Sequence, residues 1–147
     1  MKIHFYSFTD GKKSISFQEE ATFDGKSYEF LDHSAPNTKL RITIVDEATI
    51  RVKRFGTVNN EILIKENDTC ISTYSSPDLN FKFMVKGYDI KIKTDAISFS
   101  YDYYYDGDYV GKIKIGLLIK AWFTSWKKVN FNVKYLVILL WRIWHGE

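Results

Sequence analysis

An arginine and a set of tyrosines are the residues of this chain whose types and placement could do chemistry. In the stretch 38–56, TKLRITIVDEATIRVKRFG, two runs alternate apolar and polar with period two: Leu40, Ile42, Ile44, then Ile50, Val52. Asp46-Glu47 supplies the polar residues of a tight turn between them, which makes the stretch a β-hairpin. The second run carries the even parity on to Arg54, so a guanidinium shares the face of Ile50 and Val52 and points at the core or its mouth. Further on, residues 96–105 put Tyr101, Tyr103 and Tyr105 on the face of Ile97 and Phe99, and Tyr74 can project into the same interior. A fixed positive fork beside phenol hydroxyls on an apolar wall is how a small-molecule pocket is fitted, which makes Arg54, Tyr74, Tyr101 and Tyr103 the candidate ligand-binding residues. The plainer alternative makes the tyrosines core aromatics whose hydroxyls reach the rim or one another. A buried guanidinium cannot shed its charge and needs a partner; Glu19 and Glu29 are the acids at hand for Arg54.

Other chemistries fare worse. His4, His33 and His145 lie far apart with no second ligand at zinc spacing, and Cys70 is the only cysteine, so neither a metal site nor a cofactor is expected. Asp102, Asp106 and Asp108 lack the ligand ladder and closing glutamate of a calcium loop and read as an Asp-Gly turn with flanking acids. No serine sits in a G-x-S-x-G elbow, and Asp32-His33-Ser34 is a loop tripeptide whose side chains cannot all point into one site. The glycines are dispersed rather than gathered into a phosphate loop. No catalytic residue emerges, and the chain reads as a protein that is not an enzyme. Lys39, Arg41, Arg51 and Lys53 share the outer face of the 38–56 hairpin, but such a stripe is ordinarily a solvated exterior paired with nearby acids, which argues against nucleic acid as a partner.

The elements that position these residues are strands. The chain of 147 residues is a one-domain length, and its ten tyrosines and eleven phenylalanines, with many Ile and Thr, favour β structure. Runs at 3–8, 14–23, 26–31, 61–66, 69–75, 79–86, 89–93, 96–105 and 112–119 flank the central hairpin at a spacing of about ten residues. Turns are marked by Asp10-Gly11, Asp24-Gly25, Asn67-Asp68, Ser76-Pro77-Asp78, Lys86-Gly87-Tyr88 and Asp106-Gly107. About 8–11 short strands, with no helical pattern before residue 120, indicate an all-β antiparallel up-and-down barrel or a sandwich, and the hairpin turns that join nearly every neighbouring pair favour the barrel, a closed form that removes exposed edges. A barrel of this size holds one small ligand or fills its interior with side chains.

Tyr28 before the loop, Thr38 and Ile42, Arg54-Phe55-Gly56 as an R-x-G, Thr73-Tyr74, and Tyr101-Asp102-Tyr103 ahead of the 113–119 run resemble the uncharacterised YwiB-like proteins, small bacterial calycin-type β-barrels. The resemblance covers about residues 2–119. It implies a lipocalin-like barrel and brings no established activity.

Residues 120–147 are a different kind of sequence. They hold all four tryptophans, Trp122, Trp126, Trp141 and Trp144, and a net charge of +4, against −1 for residues 1–119. Their apolar run 135–141 falls far short of the roughly 20 residues that span a bilayer. The chain thus divides into a barrel domain, 1–119, and a basic, aromatic tail, 120–147, whose periodicity fits helix and strand alike. With one cysteine and no apolar leader after Met1, the composition points to a reducing cytoplasm. Two roles follow: a barrel that binds a small apolar or amphipathic molecule inside, or a filled barrel that acts as a structural or protein-interaction module. The tail offers contact with a protein partner or an anionic membrane surface. Deleting residues 120–147 is expected to leave the β-type circular dichroism spectrum and cooperative melting intact; unfolding on truncation would show that the tail supplies core.

Overall fold

A computed structural model gives the fold of residues 1–120. Eleven strands follow in order: β1 (Lys2–Thr9), β2 (Lys12–Glu20), β3 (Thr22–Phe23), β4 (Ser27–Leu31), β5 (Thr38–Asp46), β6 (Thr49–Gly56), β7 (Asn59–Lys65), β8 (Thr69–Ser75), β9 (Asn80–Ile92), β10 (Ala96–Tyr105) and β11 (Asp108–Ile119). They form one antiparallel sheet in the order β2-β1-β11-β10-β9-β8-β7-β6-β5-β4-β3. This is the up-and-down arrangement expected from the hairpin turns. At Asp10-Gly11 and Asp106-Gly107 both residues have positive φ, between 50° and 84°, as a two-residue turn matched to strand twist requires. In the 38–56 hairpin the register is Ile44↔Ile50 and then Asp46↔Thr49, so the turn falls one residue later than predicted, at Glu47-Ala48. Asp46 causes the shift by accepting the Ala48 N–H on Oδ1 at 2.9 Å, which makes it the base of the turn rather than its tip.

The run expected as one strand over 14–23 is divided, and the division closes the fold. β2 lies at one edge of the sheet and β3 at the other, yet Ala21 alone separates them. One continuous segment therefore pairs first with β1 and then with β4, and the sheet must curl until its two edges meet. Where β2 faces β4 the seam is filled by side chains. Phe17 packs on Phe5 and Phe30 at centroid distances of 5.1 and 6.1 Å and stacks on His33 at 4.0 Å. His33 Nε2 lies 2.6 Å from Glu19 Oε2, and this hydrogen bond is the main reason the Glu19 carboxyl titrates below its usual range. The inward side chains, among them Ile3, Leu40, Ile42, Ile64, Phe99 and Leu117, form one continuous core.

A second difference concerns residues 86–88. They were expected to turn, but β9 runs through them without a break from Asn80 to Ile92. Gly87 is there for close approach rather than for a turn: a Cβ on it would sit 2.5 Å from Ile64 Cγ2 and 2.6 Å from the Lys65 carbonyl oxygen. The chain is instead kinked at Asp89, φ 53°, where Glu66 accepts the N–H groups of Asp89 and Ile90 at 3.2 and 3.0 Å. Here the end of β7 touches β9 directly, because β8 pairs with β7 only from Asn59 to Glu61.

No helix among the described residues is long and apolar enough to cross a membrane. The expectations placed on residues 120–147 lie outside the described residues, except that Lys120 N–H donates to the Lys2 carbonyl at 3.0 Å. Gly87→Val is expected to destabilise the protein by about 2 kcal/mol, since the Lys65 backbone, together with the buried Ile64 side chain, blocks the added carbon. Gly11→Asn, at an open turn with nothing within 4 Å, should cost under about 1 kcal/mol. Urea denaturation of the two variants measures the contrast.

Candidate functional site: a fitted cavity at one end of the barrel

Alternating strand direction decides where the site lies. The C-terminal ends of β4, β6, β8 and β10 and the N-terminal ends of β5, β7, β9 and β11 all meet at one end of the barrel. That end holds Arg54, Asn60, Tyr74, Phe81, Phe83, Tyr103 and Ile113, and these residues line a cavity of about 270 Å³ that opens to solvent there. Deeper in, Phe5, Leu40, Val52, Ile62, Tyr101 and Ile115 complete an apolar wall. All four residues singled out from the sequence, Arg54, Tyr74, Tyr101 and Tyr103, come together on this lining.

Each arrives there by strand parity. Arg54 pairs with Leu40 on one side and Asn60 on the other, so it follows Ile50 and Val52 inward. Tyr101 is 6 % exposed, and its hydroxyl makes no hydrogen bond among the described residues. Burial pushes this phenol well above its usual range, Arg54 nearby opposes the shift, and Tyr103 adds to it, so Tyr101 stays a neutral donor and acceptor. Tyr103 lies across from Gly111, where a Cβ would meet its ring at 3.1 Å. Tyr74 stacks on Phe81 at 5.1 Å, and Phe81 stacks in turn on Tyr105 at 5.5 Å. Tyr105, about half exposed, thus sits on an aromatic rim outside the lining.

The partner of Arg54 is neither Glu19 nor Glu29 but Asp32, whose Oδ2 lies 2.7 Å from Arg54 Nε. Glu29 alternates with the inward Tyr28 and Phe30, so it faces outward, where it holds Arg41 at 2.7 Å and Lys39 at 3.9 Å. Glu19 holds His33. Asp32 was legible in principle, since it continues the even parity of Tyr28 and Phe30 one step past the end of β4. Its side chain is 2 % exposed, against 30 % for Arg54. Asp32 Oδ1 accepts the backbone N–H and the hydroxyl of Ser34 at 2.8 and 2.6 Å, while its own N–H donates to the Thr38 carbonyl at 2.9 Å. The Asp32 Oδ2 to Arg54 Nε contact falls outside hydrogen-bond geometry, so the two groups attract as charges without spending a directed hydrogen bond. Asn60 was also missed, although it shares the parity of Ile62 and Ile64. Its Oδ1 is buried and accepts nothing.

The pair gives the site its electrostatics. Arg54 with Asp32 behind it is a dipole rather than a free cation: much of the attraction an incoming anion gains from the guanidinium is lost again to the carboxylate a few ångströms beyond. Outside the barrel, Arg41 and Lys39 pair with Glu29, and Arg51 with Glu61 at 3.4 Å, so three of the four basic residues of the 38–56 hairpin's outer face are acid-paired. Among the described residues no three of His, Cys, Asp and Glu converge where a metal ion could be held.

Fold and cavity together define a small antiparallel β-barrel with a polar-fitted opening at one end. The chain belongs to the family described as "Domain of unknown function (DUF1934)", whose model matches residues 6–117. It is similar in fold to the ywiB protein of Bacillus subtilis, known from a crystal structure, with a TM-score of 0.53 and 13% sequence identity over 80% of this chain and 87% of that one. The YwiB-like resemblance read from scattered strand residues therefore holds. No curated protein matches the chain.

Removing the cation should expose what Asp32 costs without it. Arg54→Met is expected to lower stability by about 3 kcal/mol in chemical denaturation, because it leaves a buried carboxylate without its counter-charge. Arg54→Met combined with Asp32→Asn should recover part of that loss, and a double-mutant cycle measures the coupling.

Proposed function

We propose that this protein is a lipocalin-like, calycin-type binder that takes a small apolar or amphipathic molecule into the mouth of its barrel, and that it acts by binding rather than as an enzyme. The observation that carries the reading is the cavity of about 270 Å³, walled by aliphatic and aromatic side chains and fitted with a few converging polar groups. A filled barrel acting only through its surface would pack this interior to crystal-like density. Here space remains beside Arg54, Asn60, Tyr101 and Tyr103, the groups that could orient a ligand. The aromatic rim of Tyr74, Phe81 and Tyr105 supports the same reading, since flat rings at an opening offer broad contact at little entropic cost.

Native mass spectrometry of the protein purified from its own host tests this. A non-covalent adduct of small-molecule mass that disappears on denaturation is the expected result, together with a thermal upshift on adding back the extracted compound. Bare apo mass in every preparation, with no upshift across a panel of small amphiphiles, would sink the reading.

A further inference from the structure

The mouth of the cavity is charge-balanced, and we infer that its ligand carries an uncharged, amide-type head group, with a carbonyl acceptor and an N–H donor side by side on an apolar body. This rests on the interior-ligand reading and specifies it. Three observations carry it. Asp32, 2 % exposed, neutralises Arg54 from behind, so a carboxylate head group would give up its water only to meet a second carboxylate across the guanidinium. Arg54 remains a good donor to a neutral oxygen, because its N–H groups stay polarised and no net charge has to be buried. Asn60 Oδ1, next to Arg54 across the β6–β7 register, is buried and lacks a donor. A carboxylate has no N–H or O–H to give it, and a ketone or ester has none either. Tyr101, buried on the same lining with its hydroxyl unpartnered among the described residues, can serve a neutral head group in either sense. An amide meets both demands at once: its oxygen faces Arg54 and its N–H faces Asn60. An ammonium head group would supply donors to Asn60 but would face the guanidinium as a like charge.

Ligand-observed NMR titration with four probes of nearly one shape separates the outcomes: 2-naphthamide, methyl 2-naphthyl ketone, 2-naphthoate and 2-methylnaphthalene. In the unaltered full-length protein 2-naphthamide should bind about tenfold or more tighter than 2-naphthoate, with the ketone between them. Asp32→Asn keeps an oxygen for Ser34 and removes the charge, so the order of amide and carboxylate should reverse. Asn60→Leu should bring the amide down to the ketone while leaving the ketone where it was. Tighter or equal binding of 2-naphthoate to the unaltered protein would overturn the inference, as would an amide-to-carboxylate ratio that Asp32→Asn leaves unmoved. Should Asp32→Asn fail to fold, the ratio in the unaltered protein and the Asn60→Leu comparison decide. Binding of 2-methylnaphthalene without preference for the amide would leave the interior-ligand reading standing and remove the head-group assignment. Binding of none of the four would count against that reading and take this inference with it.

Discussion

A single residue between two strands at opposite edges of the sheet constrains everything else in this fold. Because Ala21 alone joins β2 to β3, the end of β2 and the start of β3 cannot drift apart by more than two Cα–Cα steps, about 7 Å. Eleven strands must then curve around a common interior. Curvature in turn fixes which side chains face one another: Phe17 from one edge and Phe30 from the other become neighbours across a seam that hydrogen bonds do not span along β2. The seam is closed by aromatic packing and by the His33–Glu19 pair at its open end. The cavity is a product of the same constraint, since it forms where the curled strands end and short hairpin loops leave the interior uncovered.

Polar groups inside such a barrel are stable only when each is answered, and the mouth shows a graded version of that rule. Asp32, the most deeply buried acid named here, receives two hydrogen bonds from Ser34 and the charge of Arg54. Arg54, closer to solvent, keeps much of its donor capacity. Asn60 Oδ1 is left with nothing. Of the buried side-chain atoms left without a hydrogen bond among the described residues, those of Arg54 and Asn60 belong to residues on the cavity lining, whereas Ser72 Oγ lies away from it. A buried amide oxygen without a partner costs on the order of 1–3 kcal/mol in a folded protein, a standing incentive for something to occupy its neighbourhood.

Much of this was legible in the sequence, because period-two patterning is a direct projection of which face a strand buries. The inward Arg54 and the Tyr101–Tyr103 face followed from counting parity, as did the strand series up to Ile119 and its antiparallel order. What escaped was the continuation of parity past an element's end: Asp32 lies one residue beyond β4, and a reading that stopped at the loop chose Glu29, which parity places outside. Gly87 misled for a different reason. A glycine required by a neighbouring strand's backbone and a glycine required by a turn have the same letter, and only the approach of Ile64 and Lys65 distinguishes them. The break at Ala21 was also silent, since a strand that changes partners keeps its alternation.

The pairing of β1 with β11 has a consequence for how the chain is made. Its register runs from Ile3↔Ile119 to Thr9↔Ile113, so β1 is completed only by β11, the last strand of the described residues. Until β11 emerges, the β1–β2 hairpin carries an open edge along the whole of β1, with Ile3 and Phe5 uncovered. Until β11 is in place this edge is free to pair with another chain. The outward-facing His4, Tyr6 and Phe8 of β1 belong to the same exposed edge. A pairing of such large sequence separation is among the contacts that slow the approach to the native state.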